Sequence, residues 1–164
     1  SQPVYRPGGD GMARYGRGLL PVNYEPKNLN SPLFSYPYAR SREVLDQLYR
    51  NGPLDPIDGI KLQYANPGTG GYPMPTIAAF LQFLPAGFVG QSCRATDGTV
   101  FAVAEGHGET IIGETTFPWV KHDIFVAPSW YPVSHRAASD TVLFSFSDRA
   151  AQKALGIWRE ERTK

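Results

Sequence analysis

Cysteine is almost missing from this chain. One residue, Cys93, stands among 164. A single thiol excludes an internal disulfide and fits a reducing compartment, so a cytoplasmic location is expected. No apolar run reaches the roughly 18 residues of a membrane-spanning helix. Charge is sparse as well, at 19% Asp, Glu, Lys and Arg with a net charge of +1. There is no basic run and no acidic tail, which argues against nucleic acid or an anionic membrane as partner. The first residues, SQPVYRPGGDG, lack the basic-then-apolar order of a secretory signal. They also lack an initiator Met, so a processed product or a piece of a longer polypeptide is expected. No internal repeat is visible.

Hydrophobic residues make up 41% of the chain. At this length one domain can bury roughly 70% of its unfolded surface. Nine Tyr, nine Phe and three Trp, set among 17 Gly and 15 Pro, suggest many short strands and turns. Residues 1–75 read as an extended arm with a helix and an added strand; residues 76–164 read as a β-barrel. In the arm, Leu19, Leu20, Leu33, Phe34, Tyr36 and Tyr38 need a surface to cover, on this domain or on another subunit. Val44, Leu45, Leu48 and Tyr49 share one face of a helix over 41–50, with Ser41 as cap and Asn51-Gly52-Pro53 as stop. A strand follows over 60–64, then a loop over 66–71. Further on, strands are expected at 76–84, at 99–105 returning as 109–112 through Gly106-His107-Gly108, and at 123–127, 133–135 and 141–146. A short helix capped by Ser147 or Asp148 and a strand over 157–160 end the chain. Asp10, Asp97 and Asp140 look like turn residues, and Arg40 and Arg42 like a solvated helix start.

Two spacings carry the functional reading. The first is Gly87, five residues, Cys93, one residue, Ala95, three residues, Thr99, six residues, Gly106. The second ends in Pro128, Ser129, Trp130, two residues, Val133. The pattern resembles the two motifs of the cupin superfamily, in which His-x-His, Glu and a final His bind a metal. Here Cys93, Ala95, Thr99 and Val133 stand at those four positions. The implied fold is all-β: a double-stranded β-helix, or jelly-roll barrel, with few short helices.

The segments KLQYANPGTGGYPMPTIAAFLQFLPAG, IFVAPSWYPVSH and VLFSFSDRAAQKALGIWRE carry the resemblance further. They are similar to the C-terminal half of the gentisate 1,2-dioxygenase family, which includes salicylate and 1-hydroxy-2-naphthoate dioxygenases. Such proteins are bicupins. The resemblance implies an N-terminal cupin half in which three imidazoles hold Fe(II) and leave positions open for an aromatic hydroxy acid and O₂. Gentisate and O₂ would give maleylpyruvate. For this half it implies no metal, no catalytic residue, a scaffold role, assembly into a homo-oligomer and no activity alone. An alternative is a free-standing, metal-free cupin whose old pocket binds a small aromatic or acidic ligand.

Candidate pocket residues are Thr99, Phe101, Val103, Val133 and His135. The last falls on the same strand face as Val133. One His without a spaced partner is a weak metal signal, so His135 is read as a polar residue of the pocket. Cys93 is read as a small apolar filler. His107 and His122 are placed in exposed turns.

Overall fold

The computed structural model describes residues 35–67 and 69–163. Asp10 and the arm residues Leu19, Leu20, Leu33 and Phe34 lie outside them. Ten strands and two helices follow in the order α1 (Tyr38–Asn51), β1 (Ile60–Gln63), β2 (Ala78–Leu84), β3 (Cys93–Ala95), β4 (Thr99–Glu105), β5 (His107–Ile112), β6 (Thr115–Val120), β7 (Ile124–Ala127), β8 (Val133–Ala137), β9 (Thr141–Ser147), α2 (Arg149–Ala154) and β10 (Glu160–Arg162). They form two five-stranded sheets, β1-β2-β9-β4-β7 and β10-β3-β8-β5-β6.

The inner faces of both sheets share one core: Leu84, Phe101, Val103, Ile112, Trp119, Ala127, Ala137 and Leu143. Alternation along β4 explains its share. Phe101 and Val103 point inward while Val100, Ala102 and Ala104 point out. All seven residues of β2 are buried, because α1 covers its outer face. There Leu45, fully buried, packs with Ile60, Leu81, Phe83 and Val142.

Several local expectations are corrected. The helix begins three residues before Ser41; its cap is Pro37, whose carbonyl accepts from Arg40 N at 3.1 Å. Val44, Leu48 and Tyr49 remain exposed, although the Tyr49 ring meets Phe83 of β2 edge-on at 5.1 Å; of the four only Leu45 is buried. Strands β4 and β5 are not a hairpin, for they belong to opposite sheets. Gly106, at φ +88°, sends the chain across, packed so closely on Asp140 and Thr141 that a Cβ would strike both. Strand β6 was not foreseen, and the last strand lies at 160–162, paired with β3. Arg42 is not simply solvated: it pairs with Asp46 and Glu105 and lies over the Phe83 ring. Tyr36 and Tyr38 pack on their own domain. The Tyr36 ring meets Tyr64 edge-on at 5.0 Å, and the Tyr38 hydroxyl donates to Glu105.

Candidate functional site: the barrel pocket

The four positions singled out by spacing converge. Cys93, Ala95, Thr99 and Val133 all line one pocket of about 70 Å³, together with Phe101 and His135. The topology explains the convergence: Cys93 and Val133 are direct partners across β3 and β8, and Thr99 starts β4 on the facing sheet. Val103 does not join them; it is sealed in the core beneath. The rest of the wall was not foreseen. It includes Asp58, Lys61, Asp97, Tyr131, Arg149 and Glu160.

Backbone conformation supports the motif alignment independently. The described residues hold two non-glycine positions at positive φ, His122 (+77°) and Trp130 (+65°). In the second cupin motif, which the spacing around them resembles, both positions are glycine. The left-handed backbone survives although the glycine is gone, at a cost of roughly 1–2 kcal/mol for each L-residue. Trp130 offsets part of this by donating its N–H to Ala95 O at 2.7 Å and by stacking under Arg94 at 4.8 Å.

His135 is buried and neutral. Burial drives its pKa down to about 4, aided by the charge of Lys61. Its Nδ1 lies 2.8 Å from Thr110 Oγ1, which is its cross-strand neighbour on β5. Thr110 Oγ1 also accepts from Trp119 Nε1 at 2.8 Å. Phe101 meets the imidazole edge-on at 5.0 Å. Cys93 is half-buried, and burial, followed by the charges of Glu160 and Asp58, raises its thiol to about 11. Without a metal it is therefore a neutral thiol at pH 7 and a poor nucleophile.

Asp97 stands in the β3–β4 turn, as expected, but it is not a solvated turn residue. Its side chain is fully buried. It accepts from Ser147 Oγ at 2.6 Å, Trp158 Nε1 at 2.8 Å and Arg149 Nε at 3.1 Å. Burial pushes its pKa up, but Arg149 and these hydrogen bonds outweigh it and hold the carboxyl below the ordinary range. The network ties α2 and the chain end to the β3–β4 turn, and β10 then closes along β3. Asp140, between β8 and β9, accepts from Ala86 N at 2.8 Å, a contact 54 positions away in sequence. His107 and His122 are exposed, His107 on strand β5 and not in a turn.

A cupin metal does not fit this wall. The pocket offers one imidazole, one thiol and three carboxylates, of which Asp58 is engaged by Lys61 and Asp97 by Arg149, leaving Glu160. Among the described residues no three His, Cys, Asp or Glu side chains are grouped to hold a metal ion.

No family model matches the chain. It is 54% identical over 161 residues to gentisate 1,2 dioxygenase 1 of Aquipseudomonas alcaligenes, covering 98% of this chain and 46% of that protein. The chain resembles the C-terminal cupin half of the gentisate 1,2-dioxygenase family. It is 34% identical to a 5-aminosalicylate 1,2-dioxygenase of Comamonas sp., over 93% of this chain and 41% of the relative. Among solved structures, the salicylate 1,2-dioxygenase of Pseudoaminobacter salicylatoxidans, determined with gentisate, superposes with a TM-score of 0.75. Its sequence identity is 30%, over 93% of this chain and 43% of that one. The fold is thus the cupin fold of this family, and the chain spans less than half the length of the relatives it matches.

Proposed function

We propose that this chain is the metal-free cupin half of an Fe(II) aromatic ring-cleaving dioxygenase of the gentisate type, and that it acts as a scaffold. In that protein a separate N-terminal cupin would hold the iron and the aromatic hydroxy acid. The observation that carries the reading is the pocket itself. Its walls keep the cupin spacing and its left-handed turns, while Cys93, Ala95, Thr99 and Val133 supply no ligand set.

The outer face of the first sheet supports the scaffold role. Ile124 and Val126 on β7 and Phe146 on β9 are exposed by 71%, 56% and 40%, beside Val100 and Ala102 of β4. Register aligns Phe146, Val100 and Val126 in one row across three strands. No charged side chain interrupts the row, and β7 is an edge strand of its sheet. Among the described residues this part of the face is apolar and ends in an edge strand, which suits packing against another cupin domain. The pocket is small against the roughly 300–1,000 Å³ of ordinary ligand sites, which disfavours a free-standing binder of aromatic ligands.

The test is iron content. The purified chain, loaded with Fe(II) and desalted, should retain far less than one iron per chain. Stoichiometric iron would overturn the proposal.

A further inference from the structure

The groups behind the pocket determine what its one imidazole offers. Trp119 Nε1 can only donate, and it donates to Thr110 Oγ1 at 2.8 Å. Thr110 is fully buried, so its own hydroxyl proton needs a protein acceptor. Among the described residues the other group it meets is His135 Nδ1, at 2.8 Å. The opposite arrangement, with Nδ1–H donating to Thr110, would give that oxygen two donors and leave its proton without an acceptor. Nδ1 therefore keeps its lone pair and the ring proton sits on Nε2. Nε2 makes no hydrogen bond among the described residues and is left for the pocket that His135 lines.

We propose that the relay from Trp119 through Thr110 locks His135 as the Nε2–H tautomer, so that the pocket receives a hydrogen-bond donor where a metal-binding cupin presents a lone pair. The ligand class such a site takes is a small oxygen acceptor, an ordered water or a carbonyl oxygen. About 70 Å³ has room for a few waters. Of the charged groups around it, Lys61 pairs with Asp58 and Arg149 with Asp97; Glu160 reaches Arg162 only at 3.9 Å, since Asp55 holds that guanidinium more closely, and one carboxylate beside one imidazole does not make a metal's ligand set. The inference deepens the metal-free reading of this barrel. The tautomer, however, can be measured whichever half of the protein carries catalysis.

The experiment is a long-range ¹H–¹⁵N correlation spectrum of the ¹⁵N-labelled chain at pH 7, with His135 assigned through His135→Gln. The expected result is a bare, pyridine-like Nδ1 and a proton-bearing, pyrrole-like Nε2, with both signals unmoved by one equivalent of Fe(II). A proton on Nδ1, averaged shifts at the two nitrogens, or selective broadening of His135 by Fe(II) would overturn the proposal. In Thr110→Val the lock should be lost and the two nitrogen shifts should move toward each other. An unchanged Nε2–H ring in that folded variant would show that the relay does not set the tautomer. If the variant fails to fold, the wild-type spectrum alone still decides.

Discussion

Lowering the pH from 7 toward 4 should weaken the fold through one residue, His135. In the unfolded chain its imidazole takes up a proton near the ordinary value of 6.5; in the folded chain burial holds it neutral down to about 4. The native state thus binds fewer protons than the unfolded state throughout that window. Stability is full above pH 6.5, falls as the pH drops, and the loss is complete near pH 4. The shift of roughly 2.5 units, at about 1.4 kcal/mol per unit, amounts to about 3 kcal/mol. Asp97 and Asp55 act elsewhere. Their folded carboxyls lie below the unfolded value of 3.8, so their contributions disappear only at lower pH. The assay is urea unfolding at several pH values between 7.5 and 4.5, for the wild type and for His135→Gln. The other two histidines are common to both proteins and cancel. The wild type should lose roughly 2–3 kcal/mol more than the variant over this range. Parallel pH profiles would refute a buried, neutral His135.

Other perturbations have equally definite signs. Asp97→Asn removes the charge that Arg149 faces in the interior, and should cost about 3–5 kcal/mol in chemical denaturation; a loss below about 1 kcal/mol would show the network to be incidental. Gly106→Ala combines a positive φ with contact on Asp140 and Thr141, so a loss of ~3 kcal/mol or failure to fold is expected, while a neutral outcome would contradict the tight crossing. His122→Gly relieves a left-handed non-glycine residue and should raise stability by about 1 kcal/mol; destabilisation in thermal melts would mean that the His122 side chain makes a contact worth more than the strain.

Much of the barrel was legible because its strands obey a period of two and are bounded by Gly and Pro. The alternation in 99–105 put Phe101 and Val103 on one face; both are core residues, though of the two only Phe101 reaches the pocket expected of them. Motif spacing brought Cys93, Ala95, Thr99 and Val133 to one pocket, because a fixed number of residues between fixed turns fixes where each strand crosses the barrel. What spacing could not supply was pairing between distant segments. Asp97 reads as a turn residue in its own neighbourhood. Only the fold brings Ser147, Arg149 and Trp158, 50 or more positions away, onto its carboxylate. The Trp119–Thr110–His135 relay is hidden for the same reason, being set by the β5–β8 register and by β6, a strand whose exposed Thr115, Thr116 and Phe117 give little alternation. The hairpin error at 99–112 came from treating Gly106-His107-Gly108 as a reversal within one sheet, when the chain there passes between sheets.

The role proposed for this chain is to support catalysis without performing it. The most direct measurement is oxygen uptake with gentisate and Fe(II), made on this chain, on a His-x-His cupin half of a family relative, and on the two together. No uptake by this chain alone, and a rise in activity and assembled mass on mixing over the catalytic half alone, is the predicted result. Turnover by this chain alone, or full activity and unchanged assembly of the other half without it, would contradict the account.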